Sequence, residues 1–106
     1  MRGLDMFSFF KRFFPAKPDI AQLLDEGALV IDVRTQGEYQ RGHGKGTRNI
    51  PLNSLQSKLA SLKKQKKVVI TCCASGMRSG KAAKILRKAG LDAHNGGPWQ
   101  NVERHR

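Results

Sequence analysis

Val68-Val69-Ile70-Thr71-Cys72-Cys73-Ala74-Ser75-Gly76-Met77-Arg78-Ser79, continuing into Gly80-Lys81-Ala82-Ala83-Lys84-Ile85-Leu86-Arg87, reads as a strand, a tight glycine-containing loop and a helix. The opening apolar run suits a strand covered on both faces. The closing stretch places Ala82, Ile85, Leu86 and Ala89 on one side of a helix. A loop between two such elements aims backbone N–H groups and a helix N-terminus at one point. A cysteine at that point has its thiolate favoured by the dipole and by Arg78, and the thiolate is the nucleophile. A buried cysteine that merely ends a strand is the competing reading. The basic residue at the helix entrance and the Ser75-Gly76 pair favour the reactive one.

Strand alternation separates the two adjacent cysteines, because successive side chains point to opposite faces. Only one of them can face the loop. Counted from Cys73, four residues precede Arg78, which leaves a compact loop with room for a small terminal atom. Counted from Cys72, five residues intervene, and the stretch matches the Cys-x5-Arg-Ser pattern of cysteine phosphatases. Gly76 then falls one place late for that pattern, and Thr71 stands where a His often precedes the nucleophile. Cys73 is therefore expected to be the nucleophile and Cys72 a small core residue.

Around this loop the chain resembles a single-domain rhodanese, a sulfurtransferase of the rhodanese homology family. Ala28-Leu29-Val30-Ile31-Asp32-Val33-Arg34-Thr35, with Glu38-Tyr39 and Gly42-His43, is similar to one family segment. Asn49-Ile50-Pro51-Leu52 is similar to the next, and Asn95-Gly96-Gly97-Pro98-Trp99 to the family's ending, with the Trp closer to the glycines than usual. Together these segments cover about residues 19 to 103. Two departures stand out. Gly44-Lys45-Gly46-Thr47 follows His43 where the family often has Ile-Pro-Gly-Ala, and three glycines within five residues should loosen that turn. Ala74 and Met77 offer no side-chain hydrogen bond to a bound anion.

The resemblance implies an α/β fold, an open parallel sheet flanked by helices, with the active-site loop between a central strand and a helix N-terminus. It also implies transfer of a sulfane sulfur from a donor such as thiosulfate, through a Cys73 persulfide, to a thiol or cyanide. No cofactor is implied. The N–H groups of Ala74, Ser75, Gly76, Met77, Arg78 and Ser79 would surround the anionic terminal sulfur. Arg78 would hold the loop or the donor's oxyanion. Ser75 and Ser79 would donate further bonds or shape the turn. Asp32 would brace the site and Arg34 would line its rim, or the two form a structural ion pair. Glu38 pairs with a basic neighbour, and His43 is structural, since a pre-ionised thiolate needs no general base. Two other classes compete: a phosphatase or arsenate reductase on the same fold, and a non-catalytic protein-binding module, which the presence of Cys73 disfavours.

The 106 residues form one domain on size grounds. Two adjacent cysteines provide no disulfide framework, which favours a reducing, cytoplasmic setting. The three histidines are scattered and no metal-ligand spacing appears, so no metal site is expected. A net charge of +12 favours anionic substrates or an acidic protein partner. No aromatic-interleaved basic stripe occurs within the domain, so nucleic acid is not expected as a partner. The run Lys63-Lys64-Gln65-Lys66-Lys67 reads as a solvated face.

Residues 1–17 stand apart as a tail that holds all five phenylalanines beside Lys11 and Arg12. The tail is a candidate for contact with a membrane surface, and residues 18–106 make up the domain. Within it, Asp19 should cap a helix through Leu24, and Leu29–Ile31 should form a strand. Gln36–Arg41 should be helical, and Thr47–Ile50 a short strand. Asn53 or Ser54 should cap a helix carrying Leu55, Leu59 and Leu62 inward. Leu91–His94 should be the last strand, and Pro98 should begin a final helical turn.

Overall fold

The computed structural model describes residues 19–106. The aromatic tail and its boundary with the domain lie outside the described residues. Among the described residues four strands form one parallel sheet: β1 (Leu29–Asp32), β2 (Arg48–Asn49), β3 (Val69–Cys73) and β4 (Ala93–Pro98), in the order β2-β1-β3-β4. Five α-helices of the described residues accompany them: α1 (Ile20–Asp25), α2 (Gln36–Gln40), α3 (Leu59–Gln65), α4 (Met77–Lys88) and α5 (Trp99–Arg104). The expected α/β architecture is present.

Alternation along β1 and β3 divides the core in two. Ile31, Val33, Val69 and Cys73 face one side and pack against Leu55, Leu62, Ala82, Ala83 and Leu86. Val30, Ile70 and Cys72 face the other side and pack against Ile20 and Val102, with Leu23, Leu24 and Trp99 beside them. The two neighbouring cysteines therefore sit in opposite layers, as the period of a strand requires. The stripe Leu55, Leu59, Leu62 faces the core, as its spacing predicts.

Three local expectations are corrected. Neither Asn53 nor Ser54 caps a helix. Pro51, with φ −54°, starts a 3-10 helix at Leu52 that runs to Lys58 before α3 begins. The fixed φ of the proline sets the turn two residues before Asn53, the nearer of the two expected caps. Leu91 is not in a strand, because its N–H closes the end of α4 on the Leu86 carbonyl at 3.0 Å. The strand instead runs from Ala93 through both glycines to Pro98. The glycine-rich turn after His43 is bonded rather than loose. Arg34 Nη2 donates to the Gly42 carbonyl at 2.7 Å, the Tyr39 hydroxyl donates to the Thr47 carbonyl at 2.7 Å, and the Lys45 N–H reaches Glu103 at 3.1 Å. A Cβ on buried Gly44 would lie 2.8 Å from Glu103 Oε1, so the missing side chain is what lets Glu103 dock there.

In an open parallel sheet, ligands bind beyond the carboxyl ends of the strands, where the strand order reverses. Here β1 lies between β2 and β3, and the reversal falls between β1 and β3, at Asp32 and Cys72-Cys73. No helix of the described residues is long and apolar enough to cross a membrane.

Candidate active site

β3 ends at Cys73, and the chain turns through Ala74, Ser75 and Gly76 into the first turn of α4. Gly76 makes this turn with φ +104°, a region that favours glycine. A Cβ on it would also approach Gly97 Cα to 3.3 Å. The turn folds the start of α4 back over Cys73. The Gly76 N–H points at Cys73 Sγ from 3.0 Å, the Ser79 N–H from 3.4 Å, and the Ser79 hydroxyl lies 3.3 Å away. Burial opposes ionisation of Cys73. The Ser79 hydroxyl and the backbone N–H groups of Ser79, Gly76 and Ser75 outweigh it, so the thiol is held below its ordinary value. Cys72 has no such donors, and burial pushes its thiol up to about 12. One cysteine of the pair is thus prepared to ionise and the other is kept protonated. The sulfur of Cys73 is nevertheless covered, with 0% of the residue exposed.

The remaining loop residues divide between rim and frame. Ala74 and Ser75 are exposed, and the Ser75 hydroxyl accepts the Met77 N–H at 3.3 Å, which shapes the turn. Met77 is 73% exposed at the rim. Arg78 directs two guanidinium nitrogens at Glu38, Nη1 to Oε1 at 2.7 Å and Nη2 to Oε2 at 3.0 Å. Glu38 also completes the capping box of α2, accepting the Thr35 N–H while its own N–H reaches the Thr35 hydroxyl. Arg78 first, then Thr35, holds the Glu38 carboxyl down at about 2.

Asp32 and Arg34 form a buried ion pair. Arg34 Nε and Nη2 bond the Asp32 carboxylate at 2.8 to 3.1 Å, and the Arg34 N–H adds a bond at 3.0 Å. The same guanidinium lies over Trp99, 5.2 Å from the ring centroid, tying β1 to α5. His43 stacks on Tyr39 and bonds the Tyr39 carbonyl at 2.7 Å, a structural role.

Asn95 joins this site from β4. Its Oδ1 accepts from the Ser79 hydroxyl at 2.7 Å and from the Gly97 N–H at 2.9 Å, while its Nδ2 donates to the Gly76 carbonyl at 3.0 Å. Thr71 adds a second tie, its hydroxyl donating to the Ser79 carbonyl at 2.8 Å. Nothing local marks Asn95 in the sequence. Only the pairing of β4 with β3, where Thr71 stands opposite Asn95, brings it to the loop.

Comparison with known proteins identifies the family. The Rhodanese-like domain family matches residues 17–97. The uncharacterized protein YqhL of Bacillus subtilis is 43% identical over 63 residues, covering 59% of this chain and 49% of that protein. Thiosulfate sulfurtransferase PspE of Escherichia coli is 38% identical over 61 residues, covering 57% of this chain and 59% of that protein. The aligned segments thus span about half the length of these relatives. A solved rhodanese with anions from E. coli superposes with a TM-score of 0.65 at 32% identity, covering 71% of this chain and 91% of that one. The chain belongs to the rhodanese-like domain family.

Proposed function

We propose that this rhodanese-like domain is a sulfurtransferase that carries a sulfane sulfur on Cys73. The observation that carries the reading is the convergence of two N–H groups on a single sulfur at a helix N-terminus, with the Ser79 hydroxyl 3.3 Å away. Such donors stabilise negative charge on that sulfur and, after transfer, on the sulfur attached to it. The Cys73 thiolate attacks the outer sulfur of thiosulfate. The S–S bond of the donor breaks, and sulfite leaves with the electron pair. A persulfide anion remains on Cys73. An acceptor, cyanide or a thiolate, then attacks the terminal sulfur and leaves as thiocyanate or a new persulfide, returning the Cys73 thiolate. Both steps conserve charge and need no cofactor.

Since Cys73 is fully covered, the donor gains access only as the loop of Ala74–Arg78 gives way. Ala74, Ser75, Gly76, Met77, Arg78 and Ser79 are the residues that would meet it. The Asp32–Arg34 pair supports the loop's surroundings, and the net charge of +12 draws anionic donors and acidic partner surfaces. The domain extends over residues 18–106, and its two free thiols support a reducing, cytoplasmic setting.

Parallel assays of thiocyanate formation from thiosulfate and cyanide, and of phosphate release from an aryl phosphate, test the proposal. Sulfur transfer exceeding phosphate release supports it. Phosphate release exceeding sulfur transfer, or inertness toward both, contradicts it.

A further inference from the structure

Ser79 has one hydroxyl proton and two neighbours that compete for it, Cys73 Sγ at 3.3 Å and Asn95 Oδ1 at 2.7 Å. The orientation of the Asn95 amide is determined by its other contacts. The Gly97 N–H can only donate, so it requires Oδ1, and the Gly76 carbonyl can only accept, so it requires Nδ2. The oxygen therefore faces Ser79, and an amide oxygen has no proton to give. Ser79 must donate to Asn95, which leaves only its lone pairs for Cys73. A neutral Cys73 suits this arrangement, because its S–H then donates to Ser79. A thiolate does not, because it wants the proton that Asn95 holds.

We infer that Asn95 is a positioning residue for Cys73: by holding the Ser79 proton it couples ionisation of the thiol to the bonds that tie β4 to the loop at Gly76 and Ser79. When Cys73 ionises, the Ser79 hydroxyl turns from Asn95 to sulfur. Asn95 Oδ1 then keeps only the Gly97 N–H, a bond within β4, and the bridge from β4 to the loop loses one of its two bonds. The thiolate gains a third donor beside the N–H groups of Gly76 and Ser79. Asn95 is exposed, so solvent reaches the switch from the β4 side.

The charged groups around the thiol are Arg78 on α4, Glu38 on α2 and the Asp32–Arg34 pair at the end of β1, with the Cys72 thiol adjacent on β3. β4 brings only the uncharged Asn95 to the loop, and its His94 is bonded to Asp92 at 2.9 Å. None of these groups is altered by exchanging Asn95 for alanine.

The inference rests on Cys73 as the working thiol, so its test reads that thiol without any sulfur donor. The rate of iodoacetamide alkylation at Cys73, followed by fragment-ion mass spectrometry across pH, reports the thiolate. Asn95→Ala frees the Ser79 proton and should lower the midpoint by about 0.5 to 1 pH unit. Asn95→Asp, a stronger acceptor bearing a charge, should raise it. In a Ser79→Ala background the shift caused by Asn95→Ala should vanish, because the coupling has lost its carrier. An unchanged or raised midpoint in Asn95→Ala, a lowered one in Asn95→Asp, or an equal Asn95→Ala shift in both backgrounds would overturn the coupling. A chain that passes this test yet transfers no sulfur keeps the coupling and loses the proposed function. One that transfers sulfur and fails this test does the reverse.

Discussion

The Arg78 guanidinium meets the Glu38 carboxylate nitrogen to oxygen, Nη1 to Oε1 at 2.7 Å and Nη2 to Oε2 at 3.0 Å, across 40 positions of chain. Glu38 is itself fastened to Thr35 at the start of α2. The pair therefore ties α2 to the first turn of α4, the turn that supplies the N–H groups around Cys73. Arg78 serves the loop through this partner, and its forked geometry suits a carboxylate.

Arg78→Ala and Glu38→Ala should accordingly lower kcat/KM for thiosulfate by similar factors, on the order of 10-fold. The double variant should be little worse than either single one, since both remove the same bond. Steady-state kinetics on the three variants checks this. A tenfold loss in Arg78→Ala with full activity in Glu38→Ala would instead make Arg78 a direct ligand of the donor.

The pair also has a defined pH range. The Glu38 carboxyl ordinarily titrates near 4.5 and is held at about 2 in the fold, chiefly by Arg78. A lowered carboxylate contributes its full stabilisation above the unfolded value and loses it as pH falls through the folded one. The pair should therefore stay formed at every pH above about 4.5 and be lost only toward about 2. The acidic limb of sulfur transfer should follow the Cys73 thiol, with a midpoint coinciding with that of alkylation. Rates that fall with a midpoint near 4.5 in place of the thiol's would contradict this.

Gly76→Ala should damage both fold and site. Its φ of +104° costs a side-chain-bearing residue about 1 to 2 kcal/mol, and the new Cβ meets Gly97 Cα at 3.3 Å. Its N–H is also the nearest donor to Cys73 Sγ, at 3.0 Å. A lowered denaturation midpoint together with a higher alkylation midpoint is the expected result. An unchanged alkylation midpoint would remove this N–H from the stabilisation of the thiolate.

Those features of the site that lie close together in sequence are legible there. The apolar run before Cys73, the glycine in the loop and the helical spacing after it define strand, turn and helix, and alternation separates Cys72 from Cys73. The Asp32–Arg34 pair is likewise local. Contacts that depend on the sheet register are not legible. Asn95 reaches Ser79 only because β4 pairs with β3 and carries one residue more than β3 between their last paired positions. Extension of β4 through Gly96 and Gly97 is hidden because glycine has low strand preference. The 3-10 helix after Pro51 escapes because leucine spacing alone does not distinguish it from an α-helix.

Residues 1–17 precede every motif of the domain, so a chain beginning at Pro18 should turn over thiosulfate as the full chain does. Sedimentation with anionic vesicles near physiological ionic strength, where weak charge attraction is screened, compares the two for membrane contact. The full chain should sediment more. Loss of turnover in a folded shortened chain would place the tail in the active site, and equal sedimentation of the two would remove the membrane contact.

The most direct test of the central claim is mass spectrometry of the full chain after thiosulfate treatment, with the modified cysteine assigned by fragment ions. One added sulfur, about 32 Da, should appear on Cys73. Cys73→Ser should abolish both the adduct and thiocyanate formation. Cys72→Ser should keep both while losing about 1 to 3 kcal/mol of stability from a hydroxyl in the apolar layer. An adduct on Cys72, or an active Cys73→Ser beside an inert Cys72→Ser, would contradict the account.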